Sequence, residues 1–289
     1  MKKKFIFLSI LLMSFSRDYL KNDPLKLSNW NPNKYKKIRN YNKEIAFFNS
    51  LKNFDKEIIN IKHNNEYPFY KLSSKNKDNI DNKIKVLLLS GVHGDEPAAH
   101  QGLNQFLTKI DKNHEDYSNF YFTVLPLINI WGWEHDSRYS YEGYDLNRSM
   151  YNKEAKESQI ISDLFNNDPL KYDISIDLHE AWSQGFFVYI DINAENSLEE
   201  MNLLIDNLKE NNYAIDNNYA YKAINGIILN PKISLKEREE LKKMEIFEYI
   251  EDLNKTTKFY TFESSKNKVY NDRAAAQELA LEFILKQVN

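Results

Sequence analysis

The sequence predicts a single α/β domain built on a mixed, largely parallel, twisted sheet flanked by helices. Three observations lead there. Residues 84–90 (IKVLLLS) form a nearly continuous apolar run, the mark of a strand buried on both faces. Strand-like and helix-like segments then alternate to the C-terminus, as strands joined by helical crossovers do. Clusters of His, Asp, Glu and Arg directly follow several apolar runs, where open α/β sheets place their sites.

Taken in order, residues 1–16 (MKKKFIFLSILLMSFS) put three lysines before an apolar run from Phe5 to Phe15 and end small-x-small. This is the pattern of a secretory signal peptide. The run is shorter than the roughly 18–20 residues that span a bilayer, so no stable membrane span is expected. An uncleaved anchor or a buried N-terminal element are the alternatives. The mature chain is expected to start near Arg17 and to work as a secreted or periplasmic protein.

Residues 17–82 are expected to form an N-terminal extension with edge strands. A polar Lys/Asn/Tyr-rich stretch runs to about residue 40, followed by a short helix over 43–52. Strands are expected at 57–62 and 67–72, joined by a turn at His63-Asn64-Asn65. Residues 83–289 form the expected catalytic core. Its strands are 84–90, 120–128, 172–178, 186–191 and 259–262. Its helices begin at Pro97, a residue suited to a first helical turn, and recur at 153–165, 197–210, 235–254 and 272–287.

Composition removes several function classes. The chain has no cysteine, which excludes disulfides, thiolate metal sites and cysteine nucleophiles. Its net charge of −3 offers no basic excess for a phosphate backbone, so no nucleic-acid partner is expected. Only 7 of 289 residues are glycine, against a usual share of about 7%. Five of these (Gly91, Gly94, Gly132, Gly143 and Gly185) lie in or beside the loops that carry the polar clusters. Those loops therefore have backbone requirements that the rest of the chain lacks.

The clusters read as chemistry. His93 and Glu96 form H-x-x-E on a tight turn after a buried strand, and such a pair can offer nitrogen and oxygen to Zn²⁺. His63 and Glu66 share that spacing without that setting, so spacing alone leaves His93 open to a bland reading as a satisfied loop histidine. His179, directly after an apolar strand, completes two histidines and one carboxylate. That set leaves a coordination position for water, as in a catalytic zinc site. Asp177 is either a partner for an imidazole N–H or a core-edge residue with another hydrogen bond. Glu263, past the last strand, is either a general base or a surface or capping glutamate. Arg138 and the Asn147-Arg148 pair can stabilise an oxyanion and hold a substrate carboxylate, or be solvated charges.

GVHGDEP at 91–97, N-x-x-G at 129–132, Arg138, DLNR at 145–148, DLH at 177–179 and FE at 262–263 together resemble the zinc carboxypeptidase family, in matching order. The succinylglutamate desuccinylase/aspartoacylase group is similar in H-x-x-E, DLNR and DLH. The resemblance implies a mixed sheet of about eight strands between helices and one Zn²⁺ held by His93, Glu96 and His179. It implies Glu263 as general base, Arg138 as the oxyanion arginine, and Asn147 with Arg148 as the binders of a substrate carboxylate. The expected activity is a metallopeptidase reaction that releases a C-terminal residue from a peptide, cell-wall peptides included. An acyl-amino-acid amidohydrolase is the first alternative, and a non-catalytic zinc- or peptide-binding member the second. The N-x-x-G segment departs from the family in carrying Ile130-Trp131. A substrate-covering tyrosine is also implied, with Tyr219 and Tyr221 as candidates. A monomer is expected.

Overall fold

The computed structural model describes residues 24–63, 66–191, 197–230 and 235–288. The signal-like segment 1–16, the start near Arg17 and the turn residues Asn64 and Asn65 lie outside them. One sheet organises the described residues. At one edge, β1 (Phe54–Lys62) pairs antiparallel with β2 (Glu66–Ser74), and β2 pairs antiparallel with β4 (Phe120–Leu125). The centre is parallel: β4, β3 (Ile84–Ser90), β5 (Tyr172–Ala181) and β8 (Thr256–Ser265) run side by side. Beyond β8, β6 (Phe187–Asp191) returns antiparallel and pairs in parallel with β7 (Ile227–Asn230). The order is β1-β2-β4-β3-β5-β8-β6-β7, a single mixed, mostly parallel eight-stranded sheet.

The helices are α1 (Tyr41–Ser50), α2 (Pro97–Lys112), α3 (Ile130–His135), α4 (Lys156–Asn167), α5 (Ser197–Glu210), α6 (Leu235–Leu241), α7 (Ile246–Asp252) and α8 (Tyr270–Gln287). Central strands flanked by helices have no wet face, which explains the unbroken apolar run in β3. Val86, Leu87, Leu88 and Leu89 are all fully buried. α8 packs along α2 and against α5 and β8. The approach to α2 is close: a Cβ on Gly102 would lie 2.6 Å from the Ala274 carbonyl oxygen.

Several boundaries differ from the sequence reading, and the consequential ones bear on the site. β4 stops at Leu125 because Pro126 has no N–H to donate to a ladder. Asn129 then caps the short α3, its side chain accepting from Gly132 N at 2.9 Å. β5 and β8 run three residues further than expected, to Ala181 and Ser265, so His179 and Glu263 belong to strands rather than to following loops. The four-residue β7, too short to show a period, adds an edge strand.

The helix expected over 235–254 is two helices. Lys242 adopts a left-handed φ of 54°, which a continuing helix does not allow, and the chain restarts at Glu245. There Glu245 and Glu248 form a reciprocal capping box that satisfies the free N–H groups at the start of α7. The arrangement puts two buried carboxyls side by side. Burial first, and Glu245 second, push the Glu248 carboxyl from its ordinary 4.5 up to about 8.

A raised carboxyl stabilises the fold while protonated, and that contribution is lost as pH rises from about 4.5 to about 8. Glu248→Gln keeps the capping geometry without the proton. Its melting temperature should fall less over this window than that of wild type, by a few degrees. Parallel melting curves for the two proteins would count against the assignment.

Candidate active site

The site sits at the C-terminal ends of β3, β5 and β8. Past β3, the chain turns through Gly91-Val92-His93-Gly94 into α2. Gly94 is pressed against α3: its N–H donates to Ser137 O at 3.0 Å, and a Cβ there would lie 1.9 Å from the Gly132 carbonyl carbon. No side chain fits, so the His93 loop and the N-x-x-G helix lock together. Arg39, from the N-terminal arm, clamps the joint by donating to the carbonyls of Gly94 and Trp133 at 3.2 and 2.6 Å.

Glu96 is the N-cap residue of α2, yet its carboxylate does not cap it. Glu180 of β5 does so instead, accepting from Ala98 N at 2.7 Å while also bound by Arg273 at 2.7 Å. The Glu96 side chain is thereby left to face two imidazoles. His93 Nδ1 lies 2.9 Å from Glu96 Oε1, and His179 Nδ1 lies 2.9 Å from Glu96 Oε2. The outer nitrogens are held as well: His93 Nε2 is 3.1 Å from Asp145 Oδ1, and His179 Nε2 is 3.0 Å from Asp177 Oδ2. All five side chains are buried.

This geometry tests whether a metal fits. If each Nε2–H donates outward to its aspartate, both Nδ1 lone pairs point inward at a carboxylate. Two lone pairs and an anion converging in a buried space repel one another unless protons or a cation sit between them. Without a cation, a proton is held on His179. Burial opposes charge on His179, but Asp177 and then Glu96 hold its imidazole well above the ordinary histidine value. Burial likewise opposes charge on Glu96, but His93 and His179 hold its carboxyl well below. The ligating atoms of His93, Glu96 and His179 all lie within 4.8 Å of one another. The all-nitrogen-and-oxygen set suits Zn²⁺, and the fit is good.

Glu263 and Arg138 flank this cluster. β5 and β8 are parallel neighbours in register, with His179 directly opposite Glu263. Glu263 Oε2 has no hydrogen-bond partner among the described residues, and desolvation first, with Glu96 adding to it against the opposing charge of His179, pushes the carboxyl up to about 8. Arg138 is fixed by Asp145, which accepts from its Nη2 at 2.8 Å and its Nε at 3.0 Å. Its Nη1 reaches to 3.3 Å from His93 Nδ1 and 3.9 Å from Glu96. Burial opposes ionisation of Asp145, but Arg138 and His93 hold its carboxyl far below the usual range. Asp145 thus orients a ligand and the arginine together, a role that sequence reading missed although DLNR contained it.

A cavity of about 510 Å³ opens over the cluster. Glu263, Arg138, Asn147, Arg148, Tyr219 and the exposed Trp182 line it together with His93, Glu96 and His179, while Asp177 stands behind His179 and outside the lining. Two further lining residues, Glu245 and Lys266, carried no sequence signal. Lys266 is bound to Asp95 at 2.7 Å. Tyr219 stacks on Phe187 with ring centroids 4.2 Å apart. Burial and the nearby Glu263 push its hydroxyl up to about 12. The second H-x-x-E pair is no site: His63 contacts Glu157 at 3.0 Å, while Glu66 is exposed.

The fold and site define a class, that of carboxypeptidase-like α/β sheets carrying a buried His/Glu cluster able to hold a metal ion. Residues 82–211 match the family model of the succinylglutamate desuccinylase/aspartoacylase catalytic domain. Among curated proteins none matches the sequence. Solved structures share the fold. A candidate metallopeptidase from Shewanella baltica OS155 is 17% identical with a TM-score of 0.67, over 86% of this chain and 91% of that one. A metallo-carboxypeptidase from Burkholderia cenocepacia is 14% identical with a TM-score of 0.61, over 87% and 70%. A succinylglutamate desuccinylase/aspartoacylase from Rhodobacter sphaeroides is 16% identical with a TM-score of 0.54, over 81% and 65%. The resemblance read from the motifs therefore holds in a family match and in the fold. Among the described residues, no helix is long and apolar enough to cross a membrane.

Asp145→Asn keeps the turn geometry but removes the charge that orients His93 and Arg138. Zinc affinity, measured by competition with a chelator, should drop about 10- to 100-fold with the fold retained. An unchanged affinity would remove Asp145 from the metal site.

Proposed function

We propose that this chain is a zinc-dependent hydrolase that cleaves an amide bond beside a substrate carboxylate, releasing the C-terminal residue of a peptide. The observation that carries the reading is the convergence of His93, Glu96 and His179 with Glu263 opposite His179 across one strand pair. Zn²⁺ held by the three ligands would supply a Lewis acid for the scissile carbonyl and would acidify water. Glu263 takes the proton of the attacking water and delivers it to the leaving nitrogen. Its unpartnered Oε2 is available for that transfer. Arg138, held rigid by Asp145, stabilises charge that develops on the carbonyl oxygen. Asn147 and Arg148, further along the cavity, face the substrate carboxylate. Trp182 offers an apolar rim for the rest of the peptide.

The family match gives the second reading its support: an amidohydrolase that removes an acyl group from an amino acid. Both reactions use the same catalytic groups and differ in what occupies the cavity. The signal-like residues 1–16 favour the peptidase and a setting outside the cytoplasm, where cell-wall peptides are candidate substrates. N-terminal sequencing of the exported protein should then find a start near Arg17. Recovery of the whole chain from the cytoplasm would reverse that assignment.

Digestion of a peptide library and of acyl-amino acids by zinc-loaded protein separates the two reactions. Loss of single C-terminal residues identifies the peptidase, and turnover of acyl-amino acids alone identifies the acylase. Glu263→Ala should lower kcat by about 10²–10⁴-fold while leaving bound zinc intact. A variant as active as wild type would sink the mechanism.

A further inference from the structure

Glu96 has a second cation beside it besides Arg138. Lys266 directly follows β8, and its backbone N–H donates to Ala181 O at 2.8 Å, which fixes it next to the end of the strand that carries His179. Its side chain is only 9% exposed and forms part of the cavity wall. The ammonium donates to Asp95 Oδ2 at 2.7 Å and stands 4.0 Å from Glu96 Oε1. The longer distance is no hydrogen bond, so Lys266 acts on Glu96 through its field. That same Oε1 faces His93 Nδ1 at 2.9 Å and lies 3.9 Å from Arg138 Nη1.

The two cations are held differently. Arg138 is bound twice by Asp145. Lys266 stands among four carboxylates, since the charges of Glu180 and Glu263 act on it as well as those of Asp95 and Glu96. Of these, Glu180 is also paired with Arg273, and Asp95 keeps its Oδ1 buried without a partner among the described residues. Burial opposes the charge of Lys266, but Glu96 first and Asp95 second hold it in place. A divalent cation entering the cluster is drawn by the Glu96 carboxylate and repelled by the ammonium close to it. Asp95 offsets that repulsion by matching the ammonium. Lysine and aspartate therefore act on the cluster with opposite signs. A bridge that only tied the start of α2 to the end of β8 would act with one sign, because loss of either partner breaks the same contact.

Resting on the metal-dependent reading of the site, we propose that Lys266 tunes the hold of the His93-Glu96-His179 cluster on its divalent cation, weakening it through its charge beside Glu96, with Asp95 as the counter-charge that limits the effect. Lys266 is in this sense a positioning residue that works through Glu96, and no step of the hydrolysis passes through it.

Zinc affinity is measured by chelator competition for wild type, Lys266→Met, Lys266→Arg and Asp95→Asn, with a melting curve for each to establish that it is folded. Lys266→Met removes the charge at similar length and should bind zinc about tenfold more tightly. Lys266→Arg keeps the charge and should stay within about threefold of wild type. Asp95→Asn releases the ammonium toward Glu96 and should bind zinc about threefold to tenfold more weakly. If Asp95→Asn does not fold, the two lysine variants decide the question. Weaker binding in both Lys266→Met and Asp95→Asn overturns the inference, because the bridge is then a structural clamp. Unchanged affinity in Lys266→Met overturns it too, since the charge then does not reach the cluster. An equal gain in Lys266→Met and Lys266→Arg would trace the effect to side-chain shape and end the inference. In all three cases zinc still binds, and the metal reading stands. Zinc binding by none of the four proteins would defeat the metal reading itself.

Discussion

The inward nitrogens of two histidines and one carboxylate are held together in a buried space, where they repel one another unless protons or a cation lie between them, and much of the surrounding architecture serves that constraint. Asp145 and Asp177 hold the outer nitrogens, which fixes both ring orientations. Glu180 takes over the capping of α2, which releases the Glu96 carboxylate to face the histidines. Gln277 of α8 donates to the His179 carbonyl at 2.8 Å and pins the third position from behind. A buried anion between two nitrogen donors is tolerable only with compensating positive charge, whether from protons or from a divalent cation. The fold therefore prepares a cation site by its own electrostatics.

Sheet register connects that site to its reactive neighbours. β5 and β8 being parallel and in register, the strand that carries His179 automatically sets Glu263 beside it. Strand spacing in a sheet is about 4.8 Å, a distance that no loop motion needs to adjust. Arg138 comes from a loop and lacks this support, so it depends on the two hydrogen bonds it donates to Asp145. Asp145 consequently couples the geometry of a ligand to that of the arginine. The interlock of Gly94 with α3 completes the frame, since the loop bearing His93 cannot shift without moving Asn129 and Gly132.

What was legible in the sequence follows from which signals are local. β3 declared itself by an apolar run, and His93, Glu96, His179 and Glu263 by their positions at strand ends. The order of the motifs gave the family resemblance before any geometry. The H-x-x-E spacing alone carried little, as His63 and Glu66 show: the same spacing there gives a histidine turned to Glu157 and an exposed acid. Other features depended on contacts distant in the chain. Asp145 lies 52 positions from His93, and nothing near it announces the pairing. The break between α6 and α7 rests on a left-handed lysine and a glutamate pair that an amphipathic pattern reads straight through. β7 is a strand because β6 offers it an edge.

That break brings residues 244–247 to the wall of the cavity. The catalytic half of the cavity is made of strand ends and the turn into α2, the most tightly packed and most sequence-legible parts of the chain. The half beyond it is made by residues 244–247 docking on the 147–150 turn through backbone hydrogen bonds that almost any sequence could form. Glu245 and Phe247 of this segment line the cavity without contributing to the His93-Glu96-His179 cluster. On the proposed hydrolase reading, a fold arranged in this way separates the residues assigned to amide hydrolysis from the short segment that lines the rest of the cavity. It also explains how peptidases and acylases can share H-x-x-E, DLNR and DLH. Those motifs build the half of the site that both reactions need, and Arg148, the last residue of DLNR, is where the shared half meets the variable one.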